Sequence, residues 1–131
     1  MIKVETIKCL KDNFAYIVHN GTEALVIDPS ESQPIAISLE KSKLRLKYIL
    51  NTHHHLDHVD GNLILKEKYK CKIIGFIDDK ERIPGIDICL KDKEVFEEGD
   101  FQFKTYHTPG HTSGHICYHF FNHKKLFTGD T

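Results

Sequence analysis

Apolar and polar positions alternate at the start of the chain and then give way to denser apolar runs broken by turn residues. Ile2 to Cys9 alternates well enough for a strand, Phe14 to His19 reads as a second and Ala24 to Asp28 as a third. Asn20-Gly21 between the last two is a hairpin signal, because both residues tolerate the positive φ of a tight turn. Pro34 suits an early helical position and opens a predicted helix with Ile35, Ala36 and Leu39 on one side. Lys47 to Asn51 returns to strand. Asp60 or Gly61 is placed to cap a second helix running to about Tyr69, with Leu65 and Tyr69 on one face. Lys72 to Phe76 predicts another strand, and the polar, turn-rich Asp78 to Asp87 reads as loop. Two hairpin-like strands follow, around Ile88 to Phe96 and Phe101 to His107, and Ile116 to Phe121 and Lys125 to Thr128 close the chain. Strands and helices mixed in this way predict an α/β layered fold, with residues 1–131 as one domain.

Composition narrows the function classes. The 131 residues carry 18 Lys and Arg against 19 Asp and Glu, interspersed along the chain, which gives no electrostatic case for nucleic acid or an anionic membrane. The longest unbroken apolar run, Phe14 to Val18, is far too short to span a bilayer, and no secretory signal is visible. Cys9, Cys71, Cys89 and Cys117 are widely spaced, with no Cys-x-x-Cys. They read as reduced, mostly buried thiols of a cytoplasmic protein.

The chemistry concentrates in Asn51-Thr52-His53-His54-His55-Leu56-Asp57-His58, where five residues in eight can ligate a metal. His53 and His55 are two apart and point the same way in extended chain. Asp57 and His58 follow at once, and a turn there aims them at a second point nearby. One segment can therefore serve two adjacent ions, an arrangement suited to hydrolysis. A histidine-rich surface loop is the plain alternative, but this run sits mid-chain directly behind the strand-like Lys47 to Leu50. A structural zinc site leans on cysteine pairs, and no cysteine is near. Two later segments join the first. Thr108-Pro109-Gly110-His111-Thr112-Ser113-Gly114-His115 is a turn-rich loop able to present a side chain into a cleft. Leu126 to Thr131 reads as a short strand ending in the carboxylate of Asp130, well placed to bridge two metals.

In this order the segments resemble the metallo-β-lactamase superfamily, whose His-x-His-x-Asp-His motif falls on His53, His55, Asp57 and His58. Thr52 to His58, His111 to Tyr118 and Phe127 to Thr131 are similar in wording to its glyoxalase II (hydroxyacylglutathione hydrolase) branch, as are Asp12 to Tyr16 and the strand ending at Asp28-Pro29. The resemblance implies the N-terminal half of a metallo-β-lactamase-type αβ/βα sandwich, truncated before the second half and the helical domain that holds glutathione. It implies two divalent ions, zinc first, with iron or manganese also compatible with the ligands. His53, His55 and His111 would hold one ion, Asp57 and His58 the other, and Asp130 would bridge them, so that Asp57 and Asp130 are the carboxylates of the catalytic centre. Asp28 is expected to accept a hydrogen bond from a ligand imidazole, or else simply to end a strand before Pro29. His115 is expected as a structural hydrogen-bonder. His54 is not a ligand in the family pattern, and His19, His119 and His123 fit no pattern and read as surface histidines. Leu56 and Asp60 depart from the family wording, Asp60 as a helix cap.

The activity implied is thioester hydrolysis, S-(2-hydroxyacyl)glutathione and water giving glutathione and a 2-hydroxy acid such as lactate. No serine or cysteine nucleophile is needed, and Ser113 lacks a dedicated base. The alternatives are an inactive or split-enzyme metal-binding fragment needing a second chain or self-association, another hydrolase of this fold such as a lactonase or β-lactamase, and a persulfide dioxygenase. The His111 to Tyr118 wording favours glyoxalase II over lactonases, β-lactamases and persulfide dioxygenases.

Overall fold

The computed structural model describes residues 2–10, 13–53, 59, 61–108 and 115–128. Strands β1 (Lys3–Cys9), β2 (Asn13–His19) and β3 (Glu23–Ile27) lead into helix α1 (Ser32–Lys41), strand β4 (Arg45–Leu50) and helix α2 (Asn62–Tyr69). Strands β5 (Lys72–Phe76), β6 (Ile88–Leu90), β7 (Val95–Glu98), β8 (Phe101–His107), β9 (Ile116–Phe120) and β10 (Lys125–Phe127) complete the chain.

The first six strands form one sheet in the order β1-β2-β3-β4-β5-β6, antiparallel from β1 to β3 and parallel from β3 to β6. The remaining four form an antiparallel sheet in the order β10-β9-β8-β7. The first sheet is buried on both faces, which is why its central strands read as continuous apolar runs. One face, with Ala24, Val26, Leu46, Ile49 and Ile73, packs under Ile35 and Leu39 of α1 and Leu65 of α2. The other, with Leu25, Ile27, Tyr48, Leu50 and Ile74, packs against Phe103, Ile116, Tyr118 and Phe120 of the second sheet. A bulge in the β3–β4 pairing, where Ala24 lies opposite Leu46 and Leu25 opposite Tyr48, lets Leu46 and Ile49 face the helices although they are three apart.

Most predicted elements are present, and the differences have local causes. The stretch Ile88 to Phe96 is two strands in two sheets: β6 pairs with β5, and β7 pairs with β8. The chain changes sheets at Lys91–Glu94, where Lys93 takes a left-handed φ of 63°. The Lys91 N–H donates to Glu94 Oε1 at 2.9 Å, and the Thr105 hydroxyl donates to the Lys91 carbonyl at 2.7 Å. Within the expected loop 78–87, Ile77–Asp79 opens with a 3-10 turn, and Ile83 adds a buried apolar group to the helix-side core. Lys125 to Thr128 ends one residue sooner, at Phe127, and Phe121 leaves β9 for a 3-10 turn.

The second helix follows Gly61 with no side-chain cap; Asp60 lies outside the described residues. Glycine is needed there because a Cβ would sit 2.7 Å from the Pro29 carbonyl oxygen, which already accepts the Gly61 N–H at 2.8 Å. That contact ties the start of α2 to the end of β3. His19 is not a surface histidine. It is buried, accepting the Gly21 N–H at Nδ1 (3.0 Å) and meeting Glu5 with Nε2 (3.0 Å). His119 and His123 are half-buried. The four cysteines are free thiols, three of them buried, and burial pushes Cys71 up to about 11. No helix among the described residues is long and apolar enough to cross a membrane.

Candidate metal centre

The parallel neighbours β3 and β4 end side by side, and the residues that leave them are polar yet buried. Asp28, first after β3, has a left-handed φ of 53°, and its N–H donates to the Leu50 carbonyl at 2.9 Å. Asn51, Thr52 and His53, first after β4, are fully buried. Buried polar groups need partners, and here they find one another. The Thr52 N–H donates to Asp28 Oδ1 at 2.8 Å, and the Thr52 hydroxyl lies 2.6 Å from Asp28 Oδ2 and 2.9 Å from His53 Nδ1. Asp28 thus reaches His53 through Thr52.

Behind this row, Asn51 and Asn62 exchange side-chain hydrogen bonds, with Asn62 Nδ2 donating to Asn51 Oδ1 at 2.6 Å and Asn51 Nδ2 returning at 3.3 Å. The Asn51 carbonyl accepts the Tyr118 hydroxyl at 2.5 Å. Burial, and then the charge of Asp28, hold the Tyr118 phenol well above its ordinary pKa, so it remains a donor.

The second sheet supplies the other wall. The Ile116 N–H donates to the Thr52 carbonyl at 2.8 Å, which joins β9 directly to the segment leaving β4. His115 is fully buried, its ring centroid 5.0 Å from that of His53 at an interplanar angle of 31°. Thr108 and His115 are joined twice. The Thr108 N–H donates to the His115 carbonyl at 2.8 Å, and the Thr108 hydroxyl lies 2.9 Å from His115 Nδ1 and 3.4 Å from Cys117 Sγ.

Of the residues expected at the site, His53, Asp28 and His115 are thus brought together. His55, Asp57, His58, His111 and Asp130 lie outside the described residues, as do His54, Leu56 and Ser113. Reading the sequence assigned no role to Thr52, Thr108, Asn51 or Tyr118. The available signal was a threonine directly beside a histidine at the end of a strand (Thr52), since short hydroxyl side chains bond to nearby groups. Of the expected ligands only His53 is among the described residues, and no three His, Cys, Asp or Glu side chains gather as a metal site among those residues; a buried imidazole engaged at one nitrogen by an oxygen is nevertheless how metal-ligating histidines are held.

A model of the Metallo-beta-lactamase superfamily matches residues 11–131. The chain belongs to the metallo-beta-lactamase superfamily. Among its curated relatives, a hydroxyacylglutathione hydrolase of Pelagibacter ubique is 51% identical over 99% of this chain and 55% of the relative. One of Methylococcus capsulatus is 43% identical over the full chain and 52% of the relative. The chain spans about half the length of the curated relatives it matches. Two solved structures are similar in shape. The BLEG-1 B3 metallo-beta-lactamase superposes with a TM-score of 0.89 at 23% identity, covering 98% of this chain and 72% of that one. ETHE1 from Myxococcus xanthus gives 0.79 at 23% identity, covering 98% and 57%. At that identity the two structures speak for the fold alone, and they agree with the layered α/β architecture expected from the sequence.

Proposed function

We propose that this chain carries the metal-holding part of a thioester hydrolase that converts S-(2-hydroxyacyl)glutathione and water to glutathione and a 2-hydroxy acid, lactate being one, in the cytoplasm. The observation that carries the reading is the buried His53, fixed through Thr52 to Asp28 and facing His115 at the junction of the two sheets. The 51% identity to a relative named hydroxyacylglutathione hydrolase supports the substrate class.

His53, His55 and His111 would hold one divalent ion, Asp57 and His58 a second, and Asp130 would join both; zinc suits this set best, and iron or manganese are compatible. Such a pair supplies Lewis acidity and a water activated near neutral pH. The chain's own contribution is orientation. Asp28 and Thr52 hold His53, the Asn51–Asn62 pair fixes the exit from β4, and Thr108 clasps His115, four residues after His111 in the sequence. The walls are dry, with His53, Thr52 and His115 fully buried, so polar interactions there act in a low dielectric.

The test joins metal analysis of the purified chain to hydrolysis of S-lactoylglutathione. Metal uptake together with turnover, both lost in His55→Ala, is the expected result. Absence of metal, or uptake and turnover indifferent to His55→Ala, would overturn the reading. A second form of the same reading has metal bound while turnover awaits a complementing polypeptide or a second copy. Metal uptake without turnover would select that form.

A further inference from the structure

We propose that the cavity at the start of β4 and β5 is a binding site for a small multivalent anion, of the class of a pyrophosphate group. It lies at the opposite end of the sheet from the buried polar residues around His53. Arg45 opens β4 and Lys72 opens β5, whereas Asn51 to His53 follow the end of β4. The cavity exists because the two strands start out of step. Lys72 pairs with Tyr48, so Arg45, Leu46 and Lys47 have no neighbour in β5, and the space beside them is left open. Its volume is about 350 Å³, within the range of small-molecule sites.

Charge marks this cavity. Its lining sets Arg45, Lys47, Lys70 and Lys72 against a single carboxylate, Glu98, in a chain whose net charge is −1. Lys47 is already matched, 3.2 Å from Glu98 Oε1 and 3.5 Å from Glu23 Oε2, and the other Glu98 oxygen accepts the Tyr48 hydroxyl. Arg45, Lys70 and Lys72 have no carboxylate within ion-pair distance among the described residues. Like charges gathered around one cavity repel, and its walls focus their field inward. An anion would offset that repulsion, and three unmatched cations suit one carrying more than a single negative charge.

The dipole of α2 accounts for Lys70, which follows its last turn. It does not account for Arg45 or Lys72, which sit at strand starts. Tyr69 lines the same cavity, and its hydroxyl is closed off from solvent with no hydrogen-bond partner. Burial, ahead of the charges of Lys68 and Glu40, raises its pKa, so it remains a donor. Guanidinium and ammonium groups are the usual partners of phosphate oxygens. The cations ring one pocket and do not run in a stripe, which favours a small anion over a nucleic-acid backbone.

The experiment titrates the full chain with sodium pyrophosphate, and in a second arm with sodium citrate, at matched low ionic strength, following 15N–1H amide shifts. Saturable shifts are expected at Tyr48, Tyr69, Lys70 and Lys72, and the tighter ligand tells a phosphate source from a carboxylate one. Arg45→Gln and Lys72→Gln should each weaken binding by about 5-fold, the weight of one partly solvated ion pair. Lys125→Gln, an exposed lysine on β10, should leave it unchanged. Lys70→Gln takes the place of either variant that does not fold. No saturable shift at these amides with either ligand would overturn the proposal. So would an affinity indifferent to Arg45→Gln and Lys72→Gln, or one lowered as much by Lys125→Gln.

Discussion

Two buried layers of this chain lie against each other and obey different rules. Between the sheets, Leu25, Ile27, Leu50, Phe103, Tyr118 and Phe120 fill space with apolar surface. At the ends of β3 and β4, Asp28, Asn51, Thr52, His53 and Asn62 are as deeply buried, yet each is held by a named partner at hydrogen-bond distance. The apolar layer is non-directional, and its stability follows the volume and area it keeps from water. The polar layer is directional, and its members fail in pairs, because removing one leaves the other desolvated without compensation. Size should therefore govern the first layer and shape-preserving chemistry the second.

The largest expected effect is Phe103→Ala. Phe103 is fully buried between Phe96, Tyr118 and Phe120, with centroid distances of 5.0, 5.4 and 5.1 Å. Its truncation should lower the unfolding free energy in urea by about 3–5 kcal/mol through lost burial and the cavity left behind. The polar layer is challenged by Asn62→Leu, which keeps size and removes the amide that meets Asn51. A loss of about 1–3 kcal/mol is expected in the same titration. Ile49→Val, a comparable intrusion into the apolar layer on the helix side, should cost about 0.5–1.5 kcal/mol. If Asn62→Leu proved as mild as Ile49→Val, the distinction between the layers would be wrong.

The smallest effect lies outside both layers. Asp87 receives the Ile73 N–H at 2.9 Å and Lys66 Nζ at 2.8 Å. Burial pulls its pKa upward, but the Lys66 bond, the Ile73 N–H and the nearby lysine charges outweigh it, and the carboxyl is held below its ordinary range. A depressed folded pKa stabilises at neutral pH, and that contribution disappears as pH falls through the ordinary carboxylate range to the lower folded value. Asp87→Asn should be less stable by only about 0.5 kcal/mol at pH 7, because solvent screens this exposed pair, with the gap to wild type closing as the solution is acidified. A gap that widened on acidification would reverse the sign assigned here.

The same contrast explains what could be read from sequence. The amphipathic stripe Ile35, Ala36, Leu39 and the β2–β3 hairpin at Asn20-Gly21 are local patterns, and the structure has them. The change of sheets at Lys91–Glu94 was not legible. The four charged residues from Lys91 to Glu94 mark a break between Leu90 and Val95, but not that the strands on either side belong to different sheets, and a lysine at positive φ carries no local mark. The burial of His19 depends on Glu5 across the β1–β2 pair, and the role of Thr52 on Asp28 across β3–β4, contacts that only pairing creates. The family resemblance put Asp28 and His115 beside His53; that Asp28 reaches it through Thr52, and that the Ile116 N–H joins the second sheet to Thr52, was not legible, because those contacts bring together separate stretches of chain.

The most direct test of the central claim, that this polar layer holds a metal through His53, is anomalous diffraction at the zinc edge from crystals of the chain grown with zinc. The account predicts an anomalous peak at His53. No peak there would contradict it.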